Sequence, residues 1–143
     1  MLMRKQWFVS SKTSKIEEEY VFKESLGNGY HGKLYRAESR SSRQSYLVKV
    51  TQKNRVKNIR SFVKEAGILK SLDHPNIVNI YETFESERLL FLVKEYCSGE
   101  EILSKVIREN RLCEAEASLI MRKLFSAVAY CHSQEVCLSL IHI

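Results

Sequence analysis

Three glycines fall within six residues, Gly27-Asn28-Gly29-Tyr30-His31-Gly32, in a stretch otherwise rich in β-formers. Glycine allows backbone conformations and close approaches that a Cβ forbids, so the run demands a tight turn or a backbone held against something else. Context narrows this GxGxxG. A dinucleotide-binding βαβ unit needs the run to open a helix, with an acid about 20 residues further on. Here Lys33-Leu34-Tyr35-Arg36-Ala37 follows, strand-like and without a helical period. Two readings stay open: a loop laid over phosphates, and an ordinary glycine hairpin.

The flanking pattern predicts a sheet. Tyr20-Val21-Phe22 leads into Leu26, Leu34-Tyr35-Arg36-Ala37 forms a second strand, and Tyr46-Leu47-Val48-Lys49-Val50 a third after the polar turn at 39–45. These fit an antiparallel meander. The basic connector with Lys53, Arg55, Lys57 and Arg60 reads as a solvated loop. A helix is expected from about residue 61 to 72, because Phe62, Ala66 and Leu69 recur at helical spacing. Asp73-His74-Pro75 stops it. Residues 77–84 and 89–96 read as two more strands. Beyond Gly99, Ile102, Leu103, Val106 and Ile107 make one helical stripe. A longer helix is predicted from about Glu114 to Ser133, with Met121, Leu124, Phe125 and Val128 on one face and Cys113 as a weaker N-cap than Ser or Thr. Five strands with one inserted helix, then two helices, give an α+β class: a small antiparallel sheet unit joined to the start of a helical one.

Two charges sit in apolar surroundings. Lys49 lies mid-strand, 17 residues after Gly32, and a buried ammonium without an anion is costly. Glu65 shares the apolar face of its helix, between Phe62 and Ala66. A strand lysine and a helix carboxylate of opposite sign would satisfy each other.

Bulk properties exclude several classes. The chain has 143 residues, an ordinary apolar fraction of 44% and a net charge of +6. Its basic residues are dispersed among acids with no reading motif, which argues against nucleic acid as the partner. No run approaches the ~18 apolar residues of a membrane span, and Met1-Leu2-Met3-Arg4-Lys5 precedes polar sequence rather than a signal-peptide core. Leu2 rules out myristoylation from this start. Cys97, Cys113, Cys131 and Cys137 contain no CxxC, so reduced thiols in the cytoplasm are expected. Cys131, His132, Cys137 and His142 match no common zinc spacing and read as a helix end with an apolar tail.

Together these motifs resemble the N-terminal part of a eukaryotic protein kinase domain. His74-Pro75-Asn76-Ile77-Val78 is similar to the family's turn after its first helix. The run from Leu92 through Glu101 resembles the hinge between the two lobes, and residues 127–133 the end of the first long helix of the second lobe. The resemblance implies ATP as ligand, with Leu26, Gly27, Gly29, Gly32 and Leu34 forming the loop above it and Leu47 against the adenine. Lys49 would hold phosphates and pair with Glu65, the Glu95 and Cys97 backbone would meet the adenine edge, and Glu101 the ribose. Phe8-Val9-Ser10, Ile16-Glu17 and Tyr20 are similar to the lead-in of calcium-dependent serine/threonine protein kinases, although no EF-hand loop occurs in the chain. The implied organisation is a polar leader at 1–19, an N-lobe at 20–96, hinge and start of the C-lobe at 97–136, and an aberrant apolar tail at 137–143.

Departures from the family pattern set further expectations. His-Arg-Asp would fall near 138–140, where the chain reads Leu138-Ser139-Leu140. No catalytic residue or magnesium ligand of the family is therefore present, magnesium would require ligands from a C-lobe, and the chain alone is expected to be inactive. A shifted frame, retained intron or truncated gene model would account for the tail. Leu47 replaces the family's usual Ala, and Lys94 stands on the pocket wall where an apolar residue or Thr is usual. Partners implied are ATP, a protein substrate and, for a non-catalytic fragment, a partner kinase. The helix at 114–133 would leave apolar surface uncovered.

Overall fold

The computed structural model describes residues 11–12, 14–29, 32–56 and 59–137, with no side chain described at 59–62 or 65. Five strands form one antiparallel sheet in the order β1-β2-β3-β5-β4: β1 (Tyr20–Gly29), β2 (Gly32–Ser39), β3 (Ser45–Gln52), β4 (Ile80–Glu85) and β5 (Leu89–Glu95). The one-turn helix α1 (Ile16–Glu19) precedes β1, α2 (Ile59–Ser71) is inserted between β3 and β4, and α3 (Ile102–Glu109) and α4 (Glu114–Ser133) follow the sheet. This is the α+β arrangement expected. The β4 strand begins later than its apolar run, because residues 74–77 form a turn closed by the Ile77 N–H donating to the His74 carbonyl at 3.0 Å. None of the described helices is long and apolar enough to cross a membrane.

The chain divides into two compact units, the first comprising residues 1–71 and 78–97. Its sheet has an outer and an inner face, set by strand alternation. On the outer face Tyr20, Ala37, Val48, Phe84, Phe91 and Val93 form a buried cluster with Ile16 of α1, which is 2% exposed. Burying a side chain of that size contributes roughly 1.5–3 kcal/mol. On the inner face Leu90 and Leu92 pack against Ala66 and Val63 of α2.

The segment before β1 belongs to this unit. Lys12 makes a parallel bridge to Phe84 on the outer edge of β4, its N–H donating to the Thr83 carbonyl at 2.9 Å and its carbonyl accepting from the Glu85 N–H at 3.4 Å. Its ammonium bonds Glu19 at 2.6 Å and Glu82 at 2.7 Å. Glu19 first, then Glu82, raises the Lys12 ammonium above its ordinary value of 10.5. Glu82 also accepts from the Tyr20 hydroxyl at 2.9 Å, and burial together with that carboxylate pushes the phenol well above its ordinary value. Polar leader sequence thus becomes a strap, because the backbone completes a strand edge and Ile16 fills the outer core.

The second unit comprises residues 72–77 and 98–143. Cys113 does cap α4, its sulfur accepting from the Glu116 N–H at 3.4 Å. Lys105 ties α3 to α4 through Glu116 at 2.8 Å and holds that carboxyl below its ordinary value. The turn at 72–77 docks on α4. Tyr130 stacks on His74 with ring centroids 5.1 Å apart and accepts the Asp73 N–H at 3.0 Å. His74 Nδ1 accepts from the Asn76 N–H, so Nε2 is the atom that carries the proton toward Ser126 Oγ at 3.1 Å. The helical stripes remain largely uncovered: Leu103, Ile107 and Phe125 are 67%, 73% and 63% exposed.

Candidate functional site

The inner face of the first unit carries Lys49 and Lys94, two of the charges singled out in the sequence. Directly opposed residues of an antiparallel pair lie on the same face. In one row across β2, β3 and β5, Leu34 faces Lys49 and Lys49 faces Leu92. In the next row Arg36 faces Leu47 and Leu47 faces Lys94. Leu92 packs toward α2, which fixes all six on the inner side. The result is a checkerboard of leucines and cations.

Lys49 occupies its centre. It is half-buried, and among the described side chains it has no hydrogen-bond or ion-pair partner. Glu65 lies within α2, but its side chain is outside the described residues, so the expected pair with Lys49 is not placed. Arg36 is engaged toward β1: it pairs with Glu24 at 2.9 Å and its guanidinium lies 5.9 Å from the Tyr96 ring.

The glycines at the end of β1 and the start of β2 have reasons of their own. Gly27 sits at φ +109° beside a register shift in the β1–β2 ladder, a conformation L side chains rarely adopt. A Cβ on Gly32 would stand 2.2 Å from the Val50 carbonyl oxygen. Gly29 ends β1 opposite Gly32. Tyr30 and His31 lie outside the described residues. Leu26 is 42% exposed on β1. Phosphate contact is therefore not needed to explain Gly27 or Gly32, and the weight of a ligand-binding reading shifts to Lys49.

The hinge-like run is partly committed to the sheet. Glu95 donates its N–H to the Asn79 carbonyl at 2.9 Å, and its carboxylate accepts from the Asn79 N–H at 3.3 Å. Cys97 is exposed beyond β5. Glu101 falls in the second unit, where it precedes α3 and its carbonyl accepts from the Lys105 N–H at 3.0 Å. Lys49, Leu34 and Leu47 are thus brought together, while Glu101 is assigned to the other unit. Among the described residues no three His, Cys, Asp or Glu side chains lie close enough to hold a metal, and His142 is outside them.

Sequence reasoning missed Lys12, and it marked Ile16 only as part of the lead-in, not as a core residue. The available signal was the spacing of Ile16 and Tyr20, four residues apart, which one helical turn and the first strand residue bring to the same buried cluster.

The family profile described as Protein kinase domain matches residues 20–140. Calcium-dependent protein kinase 3 of Plasmodium yoelii yoelii is 37% identical over 131 residues, which is 91% of this chain and 24% of that protein. Calcium-dependent protein kinase 5 of Plasmodium berghei is 38% identical over 111 residues, 78% of this chain and 20% of that protein. Myosin light chain kinase A of Dictyostelium discoideum is 34% identical over 128 residues, 86% of this chain and 42% of that protein. The chain spans about a quarter of the length of the first of these relatives.

Proposed function

We propose, from the premise that this chain belongs to the protein kinase domain family, that its first unit holds the phosphates of ATP for a serine/threonine protein kinase. One observation carries the reading. Lys49 stands half-buried between Leu34 and Leu92 on the inner face, and no described side chain balances it. A desolvated ammonium in that position is stabilised by an anion. Leu34 and Leu47 on the same face offer apolar surface for a base. ATP when bound supplies the phosphoryl group; Lys49 would fix its phosphate chain, and Leu34 and Leu47 would exclude water beside it. Among the described residues no cluster of His, Cys, Asp or Glu side chains fits a magnesium ion. By resemblance to the family, Glu65 is the ion-pair partner of Lys49, Gly29 belongs to the loop above the phosphates, Glu95 and Cys97 meet the adenine edge, and Glu101 takes the ribose.

The test is a thermal melt with and without Mg-ATP. ATP at roughly 100 times its Kd would stabilise the chain by about 2.7 kcal/mol. Lys49→Ala should abolish the shift; an undiminished shift in that variant would remove Lys49 from the site.

A second reading concerns the chain on its own. Leu138-Ser139-Leu140 stand where the family carries His-Arg-Asp, so these residues offer no carboxylate to accept a substrate hydroxyl's proton. The 143-residue chain is then a nucleotide- or kinase-binding regulator rather than a phosphotransferase. Phosphate transfer to a generic basic peptide by the purified chain would rule this reading out.

A further inference from the structure

Arg36 is a cation of the inner face that the nucleotide reading leaves without a role. It stands on β2 directly opposite Leu47 of β3, and β5 lies on the far side of β3. Tyr96 follows β5 immediately. The Arg36 guanidinium nonetheless lies 5.9 Å from the centre of the Tyr96 ring. Two strand spacings, roughly 9–10 Å, separate β2 from β5. The two side chains therefore close that gap by meeting above β3, over Leu47. Both residues are half-buried. Leu47 is the surface that the nucleotide reading gives to the base, so the Arg36–Tyr96 contact lies where the base would go.

The arm is held there by weak contacts. Glu24, its cross-strand partner on β1, brings a carboxylate oxygen to 2.9 Å from Nε. That oxygen lies off the N–H direction, because Nε is buried and makes no hydrogen bond among the described residues. A buried donor left unsatisfied costs stability. Glu24 is exposed, and an ion pair open to water contributes little. The guanidinium over the ring adds a modest attraction of its own. Such contacts suffice to populate the folded-over arm and are weak enough for a ligand to displace.

We propose that Arg36 is a gate on the base end of the inner face. Folded across Leu47 onto Tyr96, it competes with the base, and it swings toward solvent before a purine can lie on Leu34 and Leu47. This rests on the reading of the inner face as a nucleotide site and deepens it, by naming a residue of this chain that controls entry of the base. Apparent affinity then falls in proportion to the fraction of chains whose arm is open.

Isothermal titration of the whole chain with Mg-ATP reads the sign of the effect. Losing a cation weakens the binding of an anion through general attraction, whereas losing a gate strengthens it. Arg36→Ala should bind ATP roughly three- to tenfold more tightly than wild type, the range set by one exposed ion pair and one cation–ring contact. Tyr96→Leu removes the ring without changing the charge and should tighten ATP by a smaller factor. It also decides the matter should Arg36→Ala fold poorly. The gate is overturned if either folded variant binds ATP as wild type does, or more weakly. In that case ATP binding that Lys49→Ala abolishes would leave the nucleotide reading standing without a gate. ATP binding that ignores Lys49, or no binding by wild type and both variants, would remove both.

Discussion

A methyl group on Gly32 would overlap the Val50 carbonyl, and one on Gly27 would be carried at a φ of +109°. These are backbone constraints, and they act without any ligand. Gly32→Ala should lower stability by about 1–3 kcal/mol, the usual cost of overpacking, because the Val50 carbonyl it would meet is backbone and cannot swing aside. Gly27→Ala, with open space around it, should cost only about 1 kcal/mol in conformational strain. Urea denaturation of both variants checks the ordering; equal midpoints would contradict it. Lys49 was legible in the sequence because a charge among β-branched and aromatic residues is conspicuous wherever the strand lies. The reasons for Gly27 and Gly32 were not legible, since a register shift and a cross-strand approach exist only once β1, β2 and β3 are paired. Lys94 stands out in the sequence only as a departure from the family pattern. Its diagonal relation to Lys49 came only with the register.

The five strands and the three longer helices could be read from period and punctuation. The α4 bounds expected from its pattern coincide with Glu114–Ser133, helped by the Cys113 cap and the turn beyond Ser133. Elements of a single turn could not be read: α1 and the 3-10 turn Lys53–Arg55 are too short for any periodicity to show. Yet α1 carries one of the most buried side chains of the outer core. Ile16→Ala should destabilise the first unit by about 2–5 kcal/mol, the range for emptying a buried isoleucine site. A chemical melt reporting on the sheet measures this. A change below ~0.5 kcal/mol would mean that the strap is decorative. The placement of residues 72–77 was likewise hidden. Their sequence marks a helix stop, but only the folded chain reveals the His74–Tyr130 stack that attaches this turn to α4.

Taken whole, the chain was identifiable because several motifs follow one another in a fixed order, which no single glycine run could establish. Its second unit shows Leu103, Ile107, Leu119, Leu124 and Phe125 at more than ordinary exposure for such residues. The purified chain should therefore self-associate, and Phe125→Glu should lower the light-scattering mass at equal concentration; scattering that is monomeric throughout would refute this. The sheet of the first unit, by contrast, has its β4 margin attended to by Lys12. The family match begins at Tyr20, after both Lys12 and Ile16. A chain cut there would keep all five strands and expose a bare β4 edge to any passing strand. The domain profile thus starts later along the chain than the residues that cover the β4 edge and fill the outer core.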